Sequence, residues 1–330
     1  MYRHCLSKLT QTALVLSLCS LGVRSSVQAQ DTAVATPTAE ATTTATPTTV
    51  ETTVAPAPEA PKPKPKYSLP WALRPAIAPN VLRSDSSYMT SDPTKAFVST
   101  ILGGAKFLPN LGAYGKLAIT HNNPEKGPSA NAVSNPLFFL LYTPEVSKGM
   151  RLPVMLGFTL PVGGGGGDDP DLPHKAAQGA AIPTRSAMEN ALYAVNFFTV
   201  TEGIGYAWIK DRLTLQVEAT LFELFRARGD KVEKDSFRLN STFGAHAGYA
   251  ILDMLTLSAE IRYQRWLTDA APVKMAAVNR DTLTVGGGAR LNLPVGKVTL
   301  RPGFAYFAPL DDPMKKNSAH IFTFDVPVLF

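Results

Sequence analysis

Alternation of apolar and polar residues dominates the chain from Trp71 onward. The clearest segment is 213–221, where Leu, Val and Ala alternate with Thr, Gln and Glu, and segments 255–264 and 298–306 repeat the pattern. A period of two residues predicts β-strands with one apolar face. No apolar run beyond Trp71 reaches the roughly 20 residues of a spanning helix, which argues against a helical membrane protein.

Twelve strands follow from marking out this alternation. Most have about the 9–11 residues that a tilted membrane strand needs, or slightly more. They are predicted near residues 71–84, 96–107, 111–121, 133–143, 150–162, 195–209, 213–226, 237–251, 255–267, 281–293, 298–308 and 319–330.

The connections between these strands differ in length in a regular way. Those after the even strands are mostly short, those after the odd strands are longer, and the longest runs from about residue 163 to 194. Short turns at one end and long loops at the other are typical of bacterial outer-membrane barrels. The sequence therefore predicts an all-β fold, a 12-stranded antiparallel up-and-down transmembrane β-barrel over residues 67–330. A soluble β-sandwich also alternates, but aromatic residues near strand ends, such as Trp208 and Trp266, favour the barrel.

The C-terminal strand carries a second signal. Counting back from the last residue gives an apolar side chain at every second position: Phe330, Val328, Val326, Phe324 and Phe322. This ending resembles the closing strand of Gram-negative outer-membrane barrels, which the insertion machinery recognises. We therefore expect the cell outer membrane as the location, with outer-membrane lipid, lipopolysaccharide and the barrel-assembly machinery as partners.

Two segments precede the predicted barrel. A basic start, an apolar stretch over residues 9–23 and the small-residue site 27–29 predict a secretory signal peptide over residues 1–29. A transmembrane anchor is the alternative, but the apolar stretch is too short for it. Residues 30–66, rich in Pro, Thr and Ala, have no apolar face and predict a disordered periplasmic linker.

Cysteine content and charge narrow the possible functions. Both cysteines, Cys5 and Cys19, lie in the predicted signal peptide, so the exported chain would have no disulfide framework or cysteine metal site. Cleavage removes three Lys/Arg and no acid, which lowers the formal net charge from +6 to +3 and gives no reason to expect nucleic acid. The linker lysines would contact the anionic cell wall or belong to a plain spacer. A monomer is favoured.

The same alternation assigns charged residues to the inside of the barrel, because a charge on the lipid face near the midplane costs about 2–4 kcal/mol. Seven basic and three acidic residues are predicted to face the lumen and to set its selectivity: Arg74, Lys116, Arg151, Arg238, Arg262, Arg290 and Arg301, with Glu218, Glu260 and Asp325. They would form an electropositive path for anionic solutes through an open, narrow pore. Alternatively, Arg and Glu on neighbouring strands fill the interior and leave no channel.

Two further features bear on the lumen. Gly244, Gly248, Gly286 and Gly288 fall on the inward face, where they leave room inside or relieve strain at curved strands. The longest loop begins with a Gly-rich run and three aspartates at 168–171 that lack the spacing of a calcium loop, so no metal site is predicted. Residues 184–195 have helical character and would form a surface helix or fold into the lumen.

An outer-membrane hydrolase is the enzymatic alternative. It would need a serine within hydrogen-bond reach of a histidine that a third group orients. His121, His246 and His320 lie on or beside predicted strands, and none has a serine in a recognisable nucleophile context. No catalytic residue and no cofactor are therefore predicted.

Two short motifs add a family resemblance: Ser134-Asn135-Pro136 opening one strand, and residues 155–163, Met-Leu-Gly-Phe-Thr-Leu-Pro-Val-Gly, closing the next before the long loop. With the strand layout, they resemble the outer-membrane channel family associated with degradation of phenol and other aromatic compounds. The resemblance implies passage of small organic molecules. The predicted function is passive passage of small polar or anionic organic solutes, and a closed barrel with a structural or surface-interaction role is the alternative.

Overall fold

A computed structural model describes residues 66–232 and 234–330, so the predicted signal peptide and residues 30–65 of the predicted linker lie outside the described residues. In this part of the chain twelve barrel strands follow one another, four of them interrupted. They are β1 Val81–Ser91, β2 Thr94–Leu108, β3 Leu111–Pro124, β4 Ala130–Val133 with Leu137–Tyr142, β5 Met150–Arg151 with Val154–Thr159, β6 Phe197–Lys210, β7 Leu213–Arg226, β8 Phe237–Ala250, β9 Leu255–Trp266, β10 Asp281–Leu291 with Leu293–Val295, β11 Val298–Leu300 with Gly303–Pro309, and β12 His320–Leu329.

Each strand pairs antiparallel with the next one along the chain, and β12 pairs with β1. This closing seam runs from Val81 opposite Leu329 to Thr90 opposite His320 without a register shift. Closure leaves no unpaired sheet edge, which a barrel in lipid requires. The structure thus confirms the predicted 12-stranded antiparallel barrel.

The first predicted strand, 71–84, is wrong. Residues 71–80 form no strand, and β1 begins only at Val81. Pro75 and Pro79 cannot donate to a ladder, which accounts for the absence of pairing before Val81. Alternation does not predict the observed strand over its full length, because its outward face carries the polar residues Ser84 and Ser86.

The predicted contrast between short and long connections holds for most hairpins but not for the first. Residues 92–93 alone join β1 to β2, although this turn belongs to the long-loop end of the barrel. The connection after β5 carries helix α1, Leu172–Thr184, and helix α2, Asn190–Tyr193, and the connection after β9 carries α3, Ala271–Met275. No helix among the described residues is long and apolar enough to cross a membrane.

Outward-facing positions form an apolar surface around the barrel. Exposed side chains in the middle of strands include Ile101, Leu140, Val217, Phe243 and Ile261. The neighbouring residues in the same strands are buried inside. A closed sheet with apolar outward side chains in the middle of most strands matches a lipid environment, since these side chains then contact hydrocarbon.

This orientation makes a stability prediction for Ile261, which is 51% exposed in the middle of β9. We expect Ile261→Arg to lower the free energy of unfolding by about 2–4 kcal/mol, because the guanidinium would face hydrocarbon. Urea titration of the protein refolded into lipid vesicles, followed by tryptophan fluorescence, measures the change. Met254→Arg, in the short turn 251–254, is the control and should have a much smaller effect. Equal losses for both variants would contradict the assigned orientation.

Candidate functional site in the barrel lumen

The lumen contains a part of the chain that precedes the first strand. We call residues 67–80 the lumen segment. It enters at the short-turn end, where the Lys66 ammonium pairs with Asp253 and the Lys66 amide donates to the Asp211 carbonyl at 2.7 Å. The Ser68 amide then donates to Thr214 Oγ1 on the inner face of β7 at 3.0 Å. The barrel is therefore occupied by its own N-terminal extension.

The backbone of Trp71 is held from two sides of the barrel. Its N–H donates to Glu260 Oε1 at 2.5 Å, and the next amide, of Ala72, donates to the other oxygen of Glu260 at 3.2 Å. The Trp71 carbonyl accepts a hydrogen bond from Arg83 Nη2 at 2.7 Å. The Trp71 side chain is 1% exposed, and the Arg290 guanidinium lies 4.0 Å from the ring centroid. Charge-assisted hydrogen bonds of this kind are stronger than neutral ones.

Other inward arginines also bind the lumen segment. Arg290 donates to the Leu69 carbonyl, and Arg301 donates to the Tyr67 carbonyl at 3.4 Å. Arg74, which belongs to the lumen segment itself, forms an ion pair with Glu218 of β7. These contacts mean that the arginines bind protein groups in this structure and do not line an empty pore.

Inward glycines provide the space that the lumen segment fills. A β-carbon added at Gly244 would lie 2.6 Å from a methyl group of Leu73, and one added at Gly248 would lie 2.3 Å from Ser68 Cβ. A β-carbon at Gly303 would lie 2.6 Å from the Trp71 ring. Real β-carbons do not come so close to other heavy atoms, so these positions accept the segment because they have no side chain.

A second insert comes from the long-loop end. We call residues 163–196, between β5 and β6, the loop insert. Arg185 binds both carboxylate oxygens of Asp85 on β1, at 2.5 and 2.9 Å, and Glu189 pairs with Lys116 on β3. Asn190 Nδ2 donates to Asn240 on β8 at 3.2 Å. The predicted alternatives for residues 184–195 are thus resolved: this stretch folds into the lumen.

Local sequence explains the shape of the loop insert. Asp171 caps α1 by accepting from the His174 amide at 3.1 Å, and Pro173 occupies the first turn, where no amide is needed. After α1 the chain turns sharply at Ser186 and Ala187, which both have a φ of 54°. Left-handed backbone is costly for residues with a side chain and persists only where surrounding contacts determine it.

The structure places the predicted lumen residues in three groups. The first group belongs to the lumen segment or contacts it or its partners: Arg74, Glu218, Glu260, Arg290, Arg301 and Asp325. The second group contacts the loop insert: Lys116 and Arg262. The third group lies near the two ends of the barrel: Arg151 and Arg238. Arg74 needs a correction, because it lies in the lumen segment and not on a strand. The predicted role of these residues in selectivity remains a prediction.

Several central residues were absent from the sequence prediction. Arg83 and Asp85 are not among the predicted residues because the predicted first strand, 71–84, both begins and ends earlier along the chain than the observed strand Val81–Ser91. Arg185 and Glu189 lie in a loop, where alternation assigns no side, and Trp71 was assigned to a strand. A polar Arg-Ser-Asp-Ser-Ser run at 83–87, flanked by apolar residues, was the available signal for a strand with a charged inner face.

Two cavities adjoin the inserts. A pocket of about 500 Å³ at the long-loop end is lined by residues of α1 and of the β1–β2, β3–β4 and β11–β12 connections, among them Pro93, Lys126 and Asn317. A cavity of about 80 Å³ lies deeper, between the lumen segment and the loop insert. Its walls are mainly apolar, with the charged residues Arg74, Arg83, Lys116 and Glu189 among them. The loop insert lines both spaces.

Ser68, His246 and Glu260 form a chain of polar contacts inside the barrel. His246 Nε2 lies 3.1 Å from Ser68 Oγ, and His246 Nδ1 lies 3.3 Å from Glu260 Oε1. The order matches a Ser–His–acid triad, which alternation along the strands does not predict because Ser68 lies outside the barrel strands and far from His246 in the chain. However, all three side chains are buried, none lines either cavity, and Glu260 is already bound to Arg262 and to two amides of the lumen segment. We interpret this series of polar contacts as a further interaction that holds the lumen segment inside the barrel.

Comparison with known proteins gives a result at the level of fold. No family model matches the sequence, and no curated protein sequence matches it. Among solved structures, an outer-membrane channel from Pseudomonas putida F1 has a TM-score of 0.51 and 10% identity, covering 79% of this chain and 98% of that one. The NanC porin has a TM-score of 0.47 and 9% identity, covering 76% of this chain and 98% of that one. The chain has the fold of an outer-membrane β-barrel, and the expected location in the outer membrane agrees with that fold.

Proposed function

We propose that this protein is an outer-membrane channel that passes small polar or anionic organic solutes by diffusion. The observation that carries the proposal is a closed 12-stranded barrel whose lumen holds two short inserts and two cavities beside them. A barrel of about eight strands is filled by its own side chains, whereas 12 strands enclose more space. Here that space is taken up by segments that enter from the ends, so a path opens when they move.

The solute class follows from the charges inside. The inward residues of the barrel wall named above, with Arg74, Arg185 and Glu189 of the two inserts, comprise nine basic side chains and five acidic ones: Arg74, Arg83, Lys116, Arg151, Arg185, Arg238, Arg262, Arg290 and Arg301, against Asp85, Glu189, Glu218, Glu260 and Asp325. Most are paired, but the excess is positive. A positive excess between low-dielectric walls attracts anions, and the apolar walls of the inner cavity suit solutes with an apolar part.

The packed lumen also favours a second candidate, a barrel that stays closed and has a structural or surface-interaction role. In that case the two inserts would be permanent fillings, and the long loops would be the contact surface. We propose no catalytic residue. The C-terminal residues Phe322 to Phe330 would serve recognition by the barrel-assembly machinery, and the linker lysines would contact the cell wall.

Planar-bilayer recording separates the two candidates. We expect the refolded exported chain to give discrete steps of small conductance, with a reversal potential that shows anion preference in a salt gradient. Arg265→Gln, which removes an outward ion pair with Asp281, is the control and should leave the ion preference unchanged. A complete lack of steps, from this chain and from a variant without the lumen segment, would rule out the channel. Preference for cations would contradict the role of the inward arginines.

A further inference from the structure

The two inserts meet through the same groups of the barrel wall. Arg185 of the loop insert binds Asp85, and Arg83 lies between Asp85, at 3.6 Å, and the Trp71 carbonyl, at 2.7 Å. Arg83 also donates to the Pro70 carbonyl at 3.3 Å. A continuous series of charged contacts therefore runs from residue 185 to the backbone of the lumen segment.

A second series starts one residue further along the loop insert. Ser186 Oγ accepts from Arg262 Nη1 at 3.3 Å, and Arg262 Nε donates to Glu260 Oε2 at 3.0 Å. Glu260 in turn accepts the amide of Trp71. The two series leave the loop insert at adjacent residues and reach the carbonyl and the amide of one residue, Trp71.

The surroundings make these contacts mutually dependent. Asp85, Arg185, Glu260 and Arg262 are all 6% exposed or less. A buried charge that loses its partner destabilises the structure. If Arg185 moves away, the Asp85 carboxylate keeps only its ion pair with Arg83. Arg83 then has less capacity to bind the lumen segment. The left-handed turn at Ser186 and Ala187, which needs surrounding contacts to persist, lies at the point where both series begin.

We propose that the loop insert and the lumen segment are two gates in series that are coupled through Arg83–Asp85 and Glu260–Arg262, so that displacement of one loosens the other. This inference rests on the proposed channel function and gives it a regulation. A solute that displaces the loop insert on the outer side would release the lumen segment on the periplasmic side. Coupling between two sites is reciprocal, so withdrawal of the lumen segment would loosen the loop insert.

Thiol labelling tests the coupling without using conductance. The predicted exported chain has no cysteine, so a single Ala76→Cys reports on the lumen segment and a single Ala181→Cys reports on the loop insert; both alanines are 0% exposed. The folded protein in lipid vesicles is treated with a small charged maleimide. We expect Arg185→Gln, which touches no residue of the lumen segment, to raise the labelling rate at residue 76 about tenfold, within the usual range of coupling.

Three comparisons make the outcome decisive. Arg290→Gln, which removes a contact to Leu69 and none to the loop insert, should raise labelling at residue 181. Arg265→Gln, whose ion pair faces outward, should change neither rate. If Arg185→Gln increases labelling at residue 181 but leaves residue 76 within twofold of the parent, the coupling is refuted. Because labelling requires no current, that result leaves the channel proposal standing, while an absence of bilayer steps would leave the labelling result standing.

Discussion

Deletion of residues 31–79 from the exported chain should raise its single-channel conductance severalfold. The barrel itself begins at Val81, so the deletion leaves every strand intact and removes the segment that fills the short-turn half of the lumen. The groups that bound it, among them Glu260 and Arg290, would then face water. Planar-bilayer recording of the deleted and full-length chains under the same salt conditions measures the difference.

The matched control is deletion of residues 31–65, which shortens the linker and retains the lumen segment. This variant should conduct like the parent. Heat-modifiable migration on a detergent gel verifies that both deletions form folded barrels. If the two deletions give the same conductance, the lumen segment does not limit passage.

Replacement of Gly248 by valine should expel the lumen segment without any deletion. A β-carbon at this position would lie 2.0 Å from Ser68 Oγ and 2.3 Å from Ser68 Cβ, so segment and side chain cannot both occupy the space. Overpacking of this kind costs about 1–3 kcal/mol, which corresponds to about a 5- to 150-fold increase in the population of the released state. Labelling of Ala76→Cys and bilayer conductance should both increase.

Ala247→Val provides the control at the neighbouring position. Ala247 is exposed on the outer face of β8, so the added methyl groups contact lipid and not the lumen segment. In the Ala247→Val variant, the labelling rate of Ala76→Cys and the bilayer conductance should both remain those of the parent. Equal behaviour of the two valine variants would mean that Gly248 does not make room for the segment.

The fold could be predicted from the sequence largely because the barrel obeys a strict physical rule. Lipid requires apolar outward residues and a closed sheet, so alternation marks strands such as β7 and β9 almost to their ends. The exception, β1, shows the limit of that rule. Ser84 and Ser86 give its outer face a polar character, and the apolar residues around Trp71 serve a different purpose, namely packing inside the lumen.

The site was less accessible to sequence reasoning. Alternation indicates which side of the sheet Glu260 or Arg290 faces, but not what lies opposite. The partners of these residues come from outside the strands: from Leu69 and Trp71 before the barrel, and from Arg185 in a loop. Such contacts depend on how irregular segments enter the lumen, and no residue period describes them. The inward arginines were therefore recognised, while the protein groups they bind were not.

The position of Asp325 has a consequence for the order in which the molecule is completed. This carboxylate lies on β12, the strand that joins β1, and it binds both Arg83, at 2.7 Å, and Arg290, at 2.6 Å. Both arginines in turn bind the backbone of residues 69–71. Until the last strand arrives, these two cations lack this counter-ion, and the N-terminal extension lacks a fully formed binding surface. Sealing the barrel wall thus also completes the surface that binds residues 69–71, so a chain halted before the seam forms would be open at its side and would hold its N-terminal extension less firmly.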